Sequence, residues 1–129
     1  MPAVYSSTPL LQAPLRLGNL LIDEERHHVY VGDRRAWITH LEFRLLLELA
    51  TSTGSVVTRE ELLARVWGDP STPPRRLDVQ ISRLRSRLRG LDPYAIVTVR
   101  KRGYALATST AARSTVDGTK PLGEEIRIA

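Results

Sequence analysis

The chain has 129 residues and no cysteine, which leaves room for one modest domain and excludes a disulfide framework and thiolate metal sites. No run approaches the roughly 18 apolar residues needed to cross a bilayer, and Met1 to Pro14 lacks the basic start and apolar core of a signal peptide, so a cytoplasmic protein without a membrane partner is expected. The net charge of +5 is uneven: residues 1–74 carry 7 basic and 9 acidic side chains and residues 103–129 carry 3 of each, while Arg75 to Arg102 carries 9 basic ones against Asp78 and Asp92 alone, an imbalance that points to a polyanion.

Residues 1–14 contain three prolines and several Ser and Thr without periodicity and read as a disordered N-terminal tail. From Leu15 to Trp37 short apolar runs (LRL, LLI, VYV, AWI) alternate with turn residues and predict a small antiparallel meander. Thr39-His40-Leu41-Glu42 is a capping box, in which the Thr hydroxyl and the Glu carboxylate satisfy each other's backbone amides. It opens a helix whose apolar face runs through Leu41, Phe43, Leu45, Leu46, Leu47 and Leu49. Thr58-Arg59-Glu60-Glu61 is a second capping box, ahead of a short helix through Leu62, Leu63, Val66 and Trp67. The proline-rich stretch Gly68 to Pro74 cannot be helical and predicts a loop.

Arg75 to Arg89 then combines a narrow apolar stripe with six arginines and a single carboxylate. At 100° per residue, Leu77, Ile81, Leu84 and Leu88 fall within roughly 60° of one another and face a core. Arg75, Val79, Ser82, Arg83 and Ser86 fall opposite, with Arg76 and Arg89 on the shoulders. Val79 is a β-branched apolar residue on the outward face, suited to touching a thymine methyl. The forked guanidinium of Arg83 suits a guanine edge. Arg85 and Arg87 lie nearer the stripe, where ion pairing or phosphate contact suits them better than base reading. Asp78 favours the helix dipole or orients a neighbouring arginine, with a cytosine amine as its other partner. Trp67 and Tyr104 read first as core. After Gly90, the runs Ala95 to Val99 and Tyr104 to Ala107, joined by Arg100-Lys101-Arg102-Gly103, predict a hairpin with a basic tip. Residues 108–129 read as a flexible C-terminal tail, in which Glu124 to Ile128 is too short to assign.

The joint spacing of EFRLLLELA, VVTREELLARVWG, RRLDVQISRLRSRLR and VTVRKRGYAL resembles the OmpR/PhoB-type winged-helix DNA-binding domain over about Leu15 to Leu106. The resemblance implies an α+β winged helix-turn-helix domain over residues 15–107, with an N-terminal four-stranded antiparallel sheet, three helices and a C-terminal β-hairpin wing. It also implies a bacterial transcription regulator whose third helix lies in the major groove of double-stranded DNA. Position by position, it puts Asp78, Val79, Gln80, Ser82, Arg83 and Arg85 at base-facing or groove-facing sites and Arg75, Arg76 and Thr98 at phosphates. The wing residues Arg100, Lys101 and Arg102 fall at the minor groove, with Arg100 in the position that enters it. The Trp67 to Pro74 loop, with Trp67, Asp69 and Ser71, corresponds to the segment that in activators contacts RNA polymerase. Self-association on DNA is a further expectation. Gln80 stands where His is frequent and Ser82 where Arg is frequent, which shortens the reading face. The wing is more charged than the usual RGxGYRL. No receiver domain of about 120 residues accompanies the match, so a regulator without an attached phosphorylation switch is expected.

Two other readings use the same fold: docking on RNA polymerase or another regulator with nonspecific DNA contact, and architectural binding with little sequence preference. An enzyme is not expected. His27 and His28 read as strand neighbours facing opposite sides, His40 lies inside a capping box, and no pair has metal-ligand spacing. Glu60-Glu61 and Glu124-Glu125 have no partner that would tune an acid and a base apart. No cofactor and no metal is expected.

Overall fold

Turns at Gly18-Asn19, at residues 24–27 and at Gly32-Asp33 divide the first apolar runs into β1 (Leu15–Leu17), β2 (Leu20–Asp23), β3 (His28–Val31) and β4 (Arg34–Ala36). In this computed structural model, which describes residues 14–69, 71–108 and, by their backbone, 126–128, the strands pair in chain order as an antiparallel meander. The N-terminal tail expected over residues 1–14 therefore lies outside the described residues except for Pro14. Period-two alternation sends Leu20, Ile22, Val29, Val31 and Ala36 into the core. His27 is not in a strand with His28: it occupies the turn at φ 59° and stacks on Phe43 with ring centroids 4.5 Å apart.

The first capping box forms as its residues demand. The Thr39 hydroxyl accepts from the Glu42 amide and the Glu42 carboxylate accepts from the Thr39 amide, opening α1 (His40–Thr51). Phe43, Leu45, Leu46, Leu49 and Ala50 of this helix are buried. A two-residue strand absent from the expectations, β5 (Val57–Thr58), precedes α2 (Arg59–Leu62). The second capping box joins the Thr58 hydroxyl to the Glu61 amide, and the bond from the Thr58 amide holds the Glu61 carboxyl below its ordinary range. The helix continues as a π-helical turn, Leu63–Trp67, that stops at Gly68, whose φ of 76° is left-handed.

Pro74 starts α3 (Pro74–Arg87), where the missing amide of proline costs nothing at the first helical position. The stripe falls where its phase puts it: Leu77, Ile81, Leu84 and Leu88 are buried. The helix ends two residues before Arg89, as the Leu88 amide closes on the Leu84 carbonyl. The wing strands are β6 (Tyr94–Val99) and β7 (Gly103–Thr108), joined through Arg100–Arg102. β7 also pairs with β5, and Gly103 permits it, since a Cβ there would lie 2.1 Å from the Val57 carbonyl oxygen.

Within the segment read as a C-terminal tail, Ile126–Ile128 forms β8 on the free edge of β6, giving the order β5-β7-β6-β8. Those three residues are thus strand; residues 109–125 and 129 lie outside the described residues. The wing sheet is apolar on both faces. Ile96, Tyr104 and Leu106 join the main core, whereas Val97, Val99, Ala105 and Ala107 form a separate small cluster with Val56.

Leu84 is fully buried in the main core, so Leu84→Ala is expected to lower unfolding free energy by roughly 2 to 5 kcal/mol through the cavity it opens, read from urea denaturation.

Candidate nucleic-acid interface

Helix α3 carries the outward face. Arg75, Arg76, Asp78, Val79, Ser82 and Arg83 are exposed and Gln80 is half-buried. Val79 is 40% exposed, unusual for an apolar residue in this chain. The helix N-terminus has no side-chain cap and no acidic residue in its first turn, while Arg75 and Arg76 stand there against the positive end of the helix dipole, an unfavourable arrangement in the absence of an anion. No described residue forms an ion pair with Arg75, Arg76 or Arg83. The turn Arg100, Lys101 and Arg102 is exposed, with Lys101 at φ 65°. The Arg102 amide donates to the Val99 carbonyl and the Arg102 carbonyl accepts from the Arg59 amide, which fixes the turn against α2.

The opposite end of α3 is closed. Arg34 of β4 donates to the carbonyls of Arg87 and Arg89, satisfying acceptors that a helix C-terminus leaves open. Arg87 pairs through Nε with Glu42 at 3.4 Å, on the same Oε1 that accepts from the Thr39 amide at 2.8 Å. Glu42 is only 1% exposed, so one carboxylate caps α1 and holds the end of α3. The loop after α3 is clamped by Asn19, which donates from Nδ2 to the Gly90 carbonyl and accepts at Oδ1 from the Asp92 amide. Gly18 allows that approach, since a Cβ would lie 2.5 Å from Pro93.

Asp78, expected at the groove, has one carboxylate oxygen engaged inside the protein: Oδ1 accepts from Arg59 Nη2 at 2.6 Å and from the Tyr104 hydroxyl at 2.6 Å. Burial and then the Asp78 hydrogen bond push the Tyr104 phenol above its ordinary range. For Arg59, burial opposes the charge, but the bonds and charges of Asp78 and Tyr104 outweigh it and raise the guanidinium. Arg85 is also turned inward from the groove-facing set. It donates through Nε and Nη2 to the Ile96 carbonyl and through Nη2 to Thr98 Oγ1 at 2.9 Å, and burial lowers its pKa. Thr98 therefore accepts from α3 and keeps its hydroxyl proton to donate elsewhere.

The remaining expected residues border that face. Trp67 is half-buried against the core and lines a groove with Leu41, Pro73, Arg75, Val79 and Gln80. Asp69 accepts from the Ser71 hydroxyl at 2.7 Å and its amide at 2.9 Å, and these bonds hold the carboxyl below its ordinary value. Among the described residues, no cluster of three His, Cys, Asp or Glu could hold a metal ion, and no helix is long and apolar enough to cross a membrane. Sequence reasoning did not find Arg59, Arg34, Asn19 or the outer role of Glu42. The lone carboxylate among six arginines was a signal for a partner to Asp78, but not for which one.

Comparison with known proteins converges on one family. The model described as transcriptional regulatory protein, C terminal, matches residues 33–106. The phosphate regulon transcriptional regulatory protein PhoB of Rhizobium meliloti is 40% identical over 99 residues, covering 75% of this chain and 44% of that protein. The heme response regulator HssR of Staphylococcus epidermidis is 37% identical over 92 residues, covering 70% and 41%. This chain thus spans less than half the length of these curated relatives. Among solved structures, the Klebsiella pneumoniae RstA DNA-binding domain in complex with the RstA box aligns with a TM-score of 0.66 at 36% identity, covering 73% of this chain and 96% of that one. The DNA-binding domain of CpxR from E. coli aligns with a TM-score of 0.65 at 32% identity, covering 74% and 97%.

Tyr104→Phe is expected to cost about 1 kcal/mol at neutral pH by removing the hydroxyl from Asp78. Because the fold raises this phenol, the contribution is present below the unfolded value near about 10 and is lost as pH rises through the folded value. Chemical denaturation from pH 7 to 11 checks this: the alkaline loss of stability should be smaller in Tyr104→Phe than in the parent chain.

Proposed function

The chain belongs to the OmpR/PhoB-type transcriptional regulatory family of winged-helix domains, and on that premise we propose that it is a sequence-specific, double-stranded-DNA-binding transcription regulator acting in a bacterial cytoplasm. The observation that carries the proposal is the exposed face of α3, where Arg75, Arg76, Val79, Ser82 and Arg83 stand clear while Asp78 is engaged by Arg59 and Tyr104. A phosphate lodged at the uncapped helix start relieves the repulsion between two arginines and the dipole. That the related RstA DNA-binding domain was solved in complex with the RstA box supports DNA as the partner.

In this reading Arg83 takes a guanine edge, Val79 packs on a thymine methyl, and Ser82 and Gln80 complete the reading set. Arg75, Arg76 and the Thr98 hydroxyl hold phosphates. Arg100, Lys101 and Arg102 grip the adjacent minor groove or its backbone. Asp78 and Arg85 act as positioning residues, holding α3 against α2 and β6. No catalytic residue enters this account. The exposed, internally bonded Asp69-Ser71 turn after Trp67 leaves the α3 face to DNA and supports RNA polymerase as a second partner, and two copies on adjoining sites are the proposed form on DNA.

The test is binding to a duplex selected from a random library. Arg83→Ala should lose roughly 1 to 3 kcal/mol of discrimination at one base pair and little elsewhere. Lys101→Ala should weaken matched and unmatched duplexes alike and flatten the log-log salt dependence by about 0.9. Equal losses on every sequence from both variants would reject sequence reading by α3, and salt-insensitive binding of the parent chain would reject the electrostatic mechanism.

A further inference from the structure

The family match ends at Leu106, yet the fold continues into β8. That strand runs antiparallel to β6 in the register Val99 to Ile126, Thr98 to Arg127 and Val97 to Ile128. The sequence Ile-Arg-Ile is thereby set against Val-Thr-Val, apolar opposite apolar and polar opposite polar. A slip of one residue would put Arg127 opposite a valine and exchange the two faces, so the pattern itself favours this pairing.

The two sides of β6 have different neighbours. Val97 and Val99 are 0% and 1% exposed and belong to the small apolar cluster away from the main core. Thr98 stands on the other side, toward α3, where its hydroxyl accepts from Arg85. Residues directly opposite in an antiparallel pair lie about 4.5 to 5.5 Å apart at Cβ on one face. The register position of Arg127 is therefore level with Thr98 and one strand further out, two residues from the start of the cationic turn Arg100–Arg102 along β6.

We propose that Arg127 is a further DNA-phosphate contact of this protein, supplied by β8 and extending the backbone-gripping surface beyond the wing hairpin. This rests on the DNA-binding reading above. The recognised chemistry is a phosphodiester on the strand that Thr98 contacts, and the contact carries no base preference. Glu124 and Glu125 immediately precede β8, so truncation of the tail removes both signs of charge, and substitution within the full chain is the informative change.

Arg127→Gln and Arg127→Lys are compared with the parent chain by fluorescence anisotropy on the selected duplex and on an unrelated one, from about 0.05 to 0.2 M salt. The expected result for Arg127→Gln is roughly three- to tenfold weaker binding to both duplexes, a log-log salt slope shallower by about 0.9, and an unchanged melting temperature of the unbound protein. Arg127→Lys should retain most of the affinity and the parent slope. Parental or tighter binding by Arg127→Gln overturns the inference while leaving DNA binding intact. Weaker binding with an unchanged slope, or with a lowered melting temperature, also overturns it, since β8 then serves the fold alone. Failure of the parent chain to bind either duplex removes the DNA-binding reading and this inference together.

Discussion

A helix that keeps a row of arginines exposed, as the proposed DNA contact needs, has to be held in place by interactions that do not consume that face, and the Asp78 carboxylate is where this chain solves the problem. One of its oxygens receives both the Arg59 guanidinium from α2 and the Tyr104 hydroxyl from β7. The ion pair by itself contributes little, because the two side chains are 31% and 48% exposed. Its importance is geometric. A shared acceptor fixes the helix start against both α2 and the wing strand, and Arg85 repeats the connection one face round by reaching the Ile96 carbonyl and Thr98. Helix α3 and the wing are thus tied to each other by these shared contacts, as the two DNA contacts proposed above require.

The ends of α3 are treated in opposite ways. At the C-terminus, Arg34 covers carbonyls, Glu42 takes Arg87, and Asn19 clamps the following loop. Cations there also suit the negative end of the dipole. At the N-terminus no side chain of the described residues caps the helix, and two arginines stand where carboxylates would be more stable. The stability invested at one end and withheld at the other orients the helix with its open end outward.

Much of this was legible in the sequence because it is local. Both capping boxes formed at the residues that spell them, and the stripe Leu77, Ile81, Leu84 and Leu88 is buried as its phase requires. Arg85 is the instructive residue. Helix phase put it beside the apolar stripe, family resemblance put it at the groove, and the structure folds its long side chain inward over β6. Such a side chain can swing either way from a shoulder position, and only the neighbouring strand's free carbonyl decides. β5 and β8 were hidden for a different reason. Strands of two and three residues are too short for their alternation to stand out in a sequence, and their pairing partners are distant, 47 positions for Val57 with Tyr104 and 27 for Ile126 with Val99. Arg59 was equally invisible as a partner of Asp78, 19 residues on, because only the packing of α2 against α3 brings them together.

The proposed reading face is sparse. Arg83 is its one long forked donor, since Arg85 is turned inward and Ser82 replaces a long side chain with a short one. A bidentate contact supplies about 1 to 3 kcal/mol of discrimination, whereas specific binding commonly exceeds nonspecific binding by roughly 4 to 10 kcal/mol. Val79 on a methyl, Ser82 on an edge and the half-buried Gln80 amide narrow that gap in the proposed reading. In the same proposal most cations of the Arg75 to Arg102 segment add backbone affinity, which raises binding to every sequence equally. The two copies proposed on adjoining sites would supply the rest of that discrimination by repeating the half-site. Two copies side by side double the number of forks and steepen the sequence dependence, while one copy with more wing charge would only bind tighter everywhere.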